Sequence, residues 1–260
     1  MSKLGGLQRP TKKINPPKIN PFMPNQPAPI AIFAGRLDEI EALENGLYQT
    51  KMGYSSNYLI TGERGIGKSS LLTYIKSIAS GEVESPDYEK FNFLPVYLAI
   101  SDRTDITTLV KLMANSISRE LGKIEKLRFS LEKLWEFAQR ITIMDSGIKK
   151  SEKAIAEDLL IEEFIYYLSE TCKRVTDPNN SDELKDGILF LIDEVDNANT
   201  NLRIGHFFKY ATELLQINEC NNVMFTIAGL PDTIERLTES HESSIRIFNH
   251  IYKCFRKERY

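Results

Sequence analysis

The chain has 260 residues, 42% hydrophobic and 27% charged, which is enough for one large α/β domain with a full core. Its net charge of −3 excludes a global basic field that would recruit nucleic acid. Three widely spaced cysteines match neither a disulfide framework nor a zinc motif, and no apolar run reaches membrane-spanning length or forms a signal sequence. We therefore predict a cytoplasmic protein with free thiols.

Residues 1–30 are a proline-rich, basic arm. They hold seven of the eleven prolines, and residues 1–35 hold five basic and no acidic side chains. Closely spaced prolines forbid helix and disfavour strand, so we predict an extended or disordered arm. It could tether a partner or nucleic acid, or it could be a solvated leader. We assign residues 31–260 to one folded core.

An amphipathic helix is predicted at the start of this core. Order begins at Ile30–Phe33, and Gly35-Arg36 precedes the helix, which ends before Gly53. Acidic residues in its first turn suit the positive end of the helix dipole. Its apolar face is predicted to contain Leu37, Ile40, Leu43 and Leu47.

A phosphate-binding loop is predicted between a short strand, Tyr58–Thr61, and the next helix. The pattern Gly-x-x-x-x-Gly-Lys-Ser starts at Gly62 and ends at Lys68 and Ser69. Its glycines let backbone N–H groups turn toward phosphate oxygens, and the helix adds its own unpaired N–H groups. Lys68 then bridges the β- and γ-phosphates, and the Ser69 hydroxyl binds Mg²⁺. The predicted nucleotide-contacting residues are Gly62, Glu63, Arg64, Gly65, Ile66, Gly67, Lys68, Ser69 and Ser70.

A second strand is predicted within Phe91–Ile100. Because Pro95 cannot donate a ladder hydrogen bond, this strand either lies at the sheet edge or starts at Val96. Asp102 and Thr104 are the predicted caps of the following helix. That helix faces the core with Ile106, Leu109, Val110, Met113 and Ile117.

We interpret residues 121–151 as an insertion that decorates the core. It is predicted to hold a helix in which Trp135 packs inward, with base stacking by Trp135 as the less favoured interpretation. Ile141–Lys150 is predicted to be a small hairpin. Another amphipathic helix follows, and Lys173 and Arg174 suit its carboxyl end.

A second motif, an acidic pair, follows a buried strand at residues 188–192. Five consecutive apolar residues there are typical of a strand covered on both faces of a parallel sheet. Asp193 and Glu194 stand at its carboxyl end, where open α/β sheets bind their ligands. In this Walker B pattern Asp193 holds Mg²⁺, largely through water, and Glu194 orients the attacking water. Asp196 and Asn197 are interpreted as capping or loop residues close enough to support the site.

Two further strands are predicted in the last third of the chain. Val223–Ala228 is a continuous apolar run that ends in Gly-Leu-Pro, and Thr226 is its one polar residue. His250–Phe255 is predicted to be the final strand. Arg246 precedes it and is a candidate arginine finger, with a surface position as the alternative.

The Gly35-Arg36 entry, the phosphate loop and the Asp193-Glu194 strand together resemble the AAA+ ATPases, in particular the branches related to origin-recognition proteins and STAND ATPases. The resemblance implies a P-loop NTPase three-layer sandwich, with a mainly parallel five-stranded sheet and helices on both faces. It places Gly35 and Arg36 beside the adenine and the Val223 strand between the two motif strands. The family's sensor-1 polar residue is missing here. Its C-terminal helical lid is expected either to be absent or to belong to another part of a longer natural chain.

The sequence therefore predicts a module that binds ATP or ADP with Mg²⁺ and hydrolyses ATP. We assign catalytic roles to Lys68, Glu194 and Arg246, with the arginine supplied by a neighbouring copy or a partner protein. A nucleotide-gated interaction switch with little hydrolysis is one alternative. A DNA-engaging ATPase is another, although only the arm is basic. A small-molecule kinase is least favoured, because Asp193-Glu194 suits water activation.

Overall fold

The computed structural model describes residues 36–85, 88–123, 132–144, 150–179, 184–198 and 200–253. The predicted arm and Gly35 lie outside these ranges. The strands within them are β1 (Asn57–Gly62), β2 (Leu94–Ala99), β3 (Ile188–Asp193), β4 (Val223–Gly229) and β5 (Phe248–Lys253). The helices within them are α1 (Leu37–Lys51), α2 (Lys68–Ala79), α3 (Ile106–Gly122), α4 (Glu132–Met144), α5 (Lys150–Thr176), α6 (Ile204–Ile217) and α7 (Thr233–Ser240). Short 3-10 turns cover Val195–Asn197, Thr200–Leu202 and Ser244–Ile247.

The strands form one parallel sheet in the order β2-β3-β4-β1-β5. The predicted position of β4 between the two motif strands is confirmed. Pro95 lies on β2, and β2 is an edge strand, as one of the two predicted alternatives requires. Because all five strands run the same way, their carboxyl ends lie together along one border of the sheet, called here the carboxyl edge. The phosphate loop and the Asp193-Glu194 pair therefore emerge at that same edge.

A small helical layer, made of α1 and α2, covers one face of the sheet. Its apolar face is buried against residues such as Ile60, Leu189 and Met224. Three of the four predicted core residues of α1 are buried, but Leu37 is 77% exposed, so that part of the prediction is wrong. Leu37 is the first residue of α1, one turn before the buried stripe begins at Ile40.

A large helical layer, made of α3 to α7, covers the other face. Its centre is a group of aromatic side chains in which Phe225 of β4 stacks on Phe190 of β3, with ring centroids 5.2 Å apart. Phe208 of α6 packs edge-on against Phe225 and Phe248 at 5.6 and 5.5 Å. The predicted fold class, a three-layer P-loop NTPase sandwich, is confirmed.

The structure corrects the prediction of a hairpin at Ile141–Lys150. Residues Ile141–Met144 are the last turn of α4, and Lys150 begins α5. Leu134, Phe137, Ala138 and Ile141 are buried in the large layer at helical spacing. Trp135 falls outside this stripe and is 51% exposed, so the inward packing predicted for it is wrong.

The predicted caps of α3 are also wrong. Asp105 is the N-cap residue, and its carboxylate accepts a hydrogen bond of 2.8 Å from the Thr108 N–H. The Thr104 hydroxyl instead accepts a hydrogen bond from the Ser101 N–H in the preceding turn. The residue directly before the first buried apolar position is thus the cap. None of the described helices combines the length and apolar character needed to cross a membrane.

Candidate functional site

The loop between β1 and α2 has the backbone shape of an anion cradle. Gly65 and Gly67 adopt φ of 79° and 85°, a region that favours glycine. Gly67 is also the N-cap of α2, so no side chain covers the helix end there, and the first turn contains no acidic residue. The N-terminal N–H groups of α2 and the positive end of its dipole therefore favour an anion at this place.

Lys68 is folded back onto the loop that precedes it. Its Nζ donates hydrogen bonds of 2.7 Å to the Gly62 carbonyl and 3.0 Å to the Glu63 carbonyl. Burial lowers the pKa of the ammonium, and the negative charges of Asp196, Asp193 and Glu63 oppose that change. The ammonium is thus held over the cradle by neutral carbonyls, and its charge is available to a phosphate.

Arg36 lies against the other side of the same loop. Its backbone is left-handed, with φ of 68°, and its guanidinium donates to the Ile66 carbonyl. A Cβ added at Gly67 would stand 3.4 Å from Arg36 Nη2, so the two residues are in contact. The Nη1 atom is buried and has no hydrogen-bond partner among the described residues. This unsatisfied donor beside the loop fits a ligand with acceptor oxygens.

Asp193 stands at the tip of β3 and is only 4% exposed. Its Oδ1 accepts a hydrogen bond of 2.9 Å from the Glu194 N–H, and its Oδ2 accepts one of 2.8 Å from the Tyr97 hydroxyl. Burial, followed by the charge of Asp193, raises the pKa of Tyr97 far above its usual value. Tyr97 therefore remains a neutral donor to this carboxylate.

Glu194 is exposed and has a left-handed backbone with φ of 57°. Such a conformation is costly for a residue with a Cβ and recurs at functional sites. The Asn197 amide donates 3.3 Å hydrogen bonds to Glu194 Oε2 and to the Ile100 carbonyl. Asn197 thereby links the Glu194 side chain to the end of β2.

Asp196 joins the acidic motif to the end of β4. Its Oδ1 accepts a hydrogen bond of 3.1 Å from the Leu230 N–H. Gly229 lies beneath this contact, and a Cβ there would stand 2.2 Å from the Thr233 hydroxyl and 3.2 Å from the Asp196 nitrogen. The loops after β3 and β4 are therefore packed too closely to admit a larger residue at position 229.

These elements enclose a cavity of about 500 Å³. Its walls include eight of the residues that the sequence predicts as site residues: Arg64, Gly65, Gly67, Lys68, Ser69, Ser70, Asp193 and Glu194. Five further residues line the cavity. The sequence places Asp196 and Asn197 close enough to support the site, and it assigns no site role to Tyr97, Ala99 and Leu230. The alternation along β2 is a signal for Tyr97, because Leu94, Val96 and Leu98 are buried on one face and Tyr97 lies on the other.

The remaining predicted residues lie around or away from this cavity. Gly62, Glu63 and Ile66 belong to the loop and contribute carbonyls to Lys68 and Arg36. Arg246 is exposed in the 3-10 turn that enters β5. Because Phe248 pairs with Asn57 at the start of β1, Arg246 lies at the opposite edge of the sheet from the cavity. A catalytic role for it would require a second copy, and this stays a prediction.

The residues of the cavity fit a magnesium nucleotide by their chemistry. Carboxylate and hydroxyl oxygens, as supplied by Asp193 and Ser69, are the ligands that Mg²⁺ prefers. A lysine ammonium, glycine-rich backbone and a helix N-terminus are the groups that bind phosphate. The cavity thus combines cation ligands and anion donors on facing walls.

No family model and no curated protein matches the sequence. Among solved structures, the Aeropyrum pernix ORC2 protein, determined as ADPNP-ADP complexes, is similar at a TM-score of 0.47 and 13% identity. The match covers 85% of this chain and 48% of that one, so this chain spans about half the length of the ORC2 chain.

Proposed function

We propose that this chain is a nucleotide-binding module of AAA+/STAND type that binds ATP and ADP with Mg²⁺ and hydrolyses ATP slowly. The observation that carries the proposal is the meeting of Lys68, Ser69, Asp193 and Glu194 on the walls of one cavity. These residues come from two segments more than a hundred positions apart in the chain. Their convergence supports a shared task better than either motif alone.

Binding would depend on the cradle and on Lys68. The N–H groups of the loop and of the first turn of α2 would bind the phosphate oxygens, and the Lys68 ammonium would leave its carbonyl partners to bridge the terminal phosphates. Ser69 and Asp193 would hold Mg²⁺, which neutralises charge on the β- and γ-phosphates when bound. Arg36 would add a donor from the far side of the loop.

Hydrolysis would depend on Glu194. Its carboxylate would accept a proton of the attacking water and orient that water toward the terminal phosphate. The Asn197 amide, 3.3 Å from Oε2, would hold the carboxylate in place for this task. An arginine that stabilises the transferred phosphoryl group contributes about 10³–10⁵-fold in related reactions, so a chain without a neighbour should be slow.

One observation favours the alternative, a nucleotide-gated switch with little hydrolysis. Leu230, the residue that directly follows β4, lines the cavity. A polar side chain would be needed at this place to sense the terminal phosphate. A switch of this kind would retain ADP through purification and release phosphate at a negligible rate. Such retention, measured together with turnover, separates the two functions.

The binding part of the proposal is tested by Lys68→Ala. Isothermal calorimetry with ATP and ADP should show binding to the wild type and loss of most of it in the variant, because the cation of the cradle is gone. Lys76→Ala is the matched control, since Lys76 lies in the last turn of the same helix and should leave affinity unchanged. Wild-type affinity in Lys68→Ala would refute the site.

The hydrolytic part is tested by Glu194→Gln. The amide cannot accept the proton of water, so phosphate release should fall at least about a hundredfold while nucleotide affinity is retained. Turnover is measured by release of inorganic phosphate at saturating ATP and Mg²⁺. Undiminished turnover would remove Glu194 from the role assigned to it.

A further inference from the structure

Tyr97 is placed to act on the acidic motif from a neighbouring strand. It lies on the face of β2 that is turned toward the small helical layer, while Val96 and Leu98 pack into the large layer. The register of the sheet pairs Tyr97 with Leu191 and Ala99 with Asp193. The phenol therefore extends along the sheet toward the carboxyl end of β3, where its hydroxyl meets Asp193.

The carboxylate of Asp193 is restrained at both oxygens. The Tyr97 hydroxyl donates to Oδ2 at 2.8 Å, and the Glu194 N–H donates to Oδ1 at 2.9 Å. Each carboxylate oxygen has two lone pairs, so one on each remains able to accept another donor. Two donors in different directions fix the plane of the carboxylate and leave these lone pairs directed away from the protein donors.

An electrostatic attraction within the cavity acts against this restraint. Asp193 and the Lys68 side chain both line the cavity, so a carboxylate and an ammonium share the same space. A carboxylate without its Tyr97 bond would be drawn toward this cation, and the two groups that must bind metal and phosphate would neutralise each other. The Tyr97 bond keeps Asp193 at the sheet edge, and carbonyls hold Lys68 over the loop.

We propose that Tyr97 is a positioning residue that fixes the Asp193 carboxylate for water-mediated binding of Mg²⁺. The inference rests on the proposed function, since it concerns the metal that accompanies the nucleotide. The hydroxyl touches the metal ligand and acts through it. Its removal should therefore weaken the contribution of Mg²⁺ to nucleotide binding without weakening the binding of the nucleotide alone.

The test compares the full chain with its Tyr97→Phe variant by calorimetry. Each protein is titrated with a non-hydrolysable ATP analogue, once with Mg²⁺ and once with EDTA. In the wild type, Mg²⁺ should strengthen binding. In Tyr97→Phe the strengthening by Mg²⁺ should fall about tenfold, because a hydrogen bond to a charged group is lost, while affinity in EDTA stays within about twofold.

Tyr58→Phe is the matched control. Tyr58 lies on β1 and also donates a buried hydroxyl bond, 2.7 Å to the Ala42 carbonyl, but away from the cavity. Its loss should alter thermal stability and leave the Mg²⁺ effect unchanged. A second comparison introduces Tyr97→Phe into Asp193→Asn, where the substitution should have no further effect on Mg²⁺ because its target is already neutral.

The outcomes separate the inference from the function on which it rests. If the wild type binds the analogue with a clear Mg²⁺ effect and Tyr97→Phe keeps all of it, the Tyr97 inference is overturned and the proposed function stands. Equal losses in EDTA and in Mg²⁺ would also overturn it, because they would indicate a change in cavity shape. No binding of the analogue to the wild type would overturn both.

Discussion

The two helical layers of this molecule differ in what they contribute. The small layer supplies the start of α2. The face of the sheet that this layer covers carries Tyr97 and Asp193, so the candidate chemistry lies on this side. The core between the sheet and the large layer contains most of the buried aromatic side chains among the described residues, including Phe190, Phe207 and Phe208. Every lining residue of the cavity lies on the phosphate loop, α2, β2, the last residue of β3 or the segments that follow β3 and β4.

This division implies that stability and ligand binding can be changed separately. Burial of apolar surface stabilises the fold roughly in proportion to area, so the large layer should dominate the free energy of unfolding. Nucleotide affinity should depend on a few polar groups at the sheet edge. Substitutions in the two layers therefore provide a direct test of the division.

The largest expected effect on stability follows Phe208→Ala. Phe208 is fully buried between Phe225 and Phe248, and truncating such a ring costs about 3–5 kcal/mol. Thermal unfolding should shift downward by about 6–20 °C. Below the transition, ADP affinity should stay within about twofold of the wild-type value. Phe208→Leu, which retains more volume, should lose less stability, and a parallel loss of affinity would contradict the division.

A smaller effect on stability is expected from a substitution in the wall of the cavity. Asp196 lines the cavity and accepts the 3.1 Å hydrogen bond from the Leu230 N–H before α7. Asp196→Ala should cost about 1–3 kcal/mol by leaving that N–H unsatisfied. It should also strengthen metal-free ADP binding a few-fold (about 1 kcal/mol), because one negative charge beside Lys68 is removed.

Asp196→Asn separates the loss of stability from the gain in metal-free ADP affinity. The amide oxygen can still accept from Leu230, so the melting temperature should remain near that of the wild type. The negative charge is removed as in Asp196→Ala, so the gain in metal-free ADP affinity should be the same. An affinity gain confined to the alanine variant would show that loop movement, and not charge, causes it.

Much of the fold could be predicted from local patterns. The apolar runs of β3 and β4, the phosphate loop and the helical stripes of α1 and α3 all depend on neighbouring residues, and apart from Leu37 the structure has them where the patterns indicate. The prediction of a hairpin at Ile141–Lys150 is wrong, because the helical spacing of Leu134, Phe137 and Ile141 carries α4 on to Met144 and Lys150 already belongs to α5. The same spacing excludes Trp135 from the buried face.

The candidate site was predictable only in part. Lys68, Ser69, Asp193 and Glu194 belong to motifs whose spacing is readable in one segment each. The role of Tyr97 depends on the pairing of β2 with β3, and its hydrogen bond to Asp193 joins residues 96 positions apart. Leu230 likewise reaches the cavity through the packing of loops. Contacts of this kind depend on tertiary structure and have no signature in a local window.

The smallest expected effect concerns pH and an edge strand outside both layers. His250 of β5 lies 2.7 Å from the Thr61 hydroxyl of β1, and burial lowers the pKa of its imidazole. A lowered pKa in the folded state means that protonation favours the unfolded chain. The contribution of neutral His250 to stability should therefore be complete above about pH 6.5 and be lost progressively as the pH falls through the lowered value.

The comparison with His250→Gln isolates this contribution. Glutamine can keep a hydrogen bond to Thr61 but does not titrate, so the melting temperature of the wild type relative to the variant should fall as the pH is lowered through and below about 6.5. Because His250 is largely exposed, the change should be smaller than that of Asp196→Ala. A difference that is constant across this range would show that the ring carries no burial penalty.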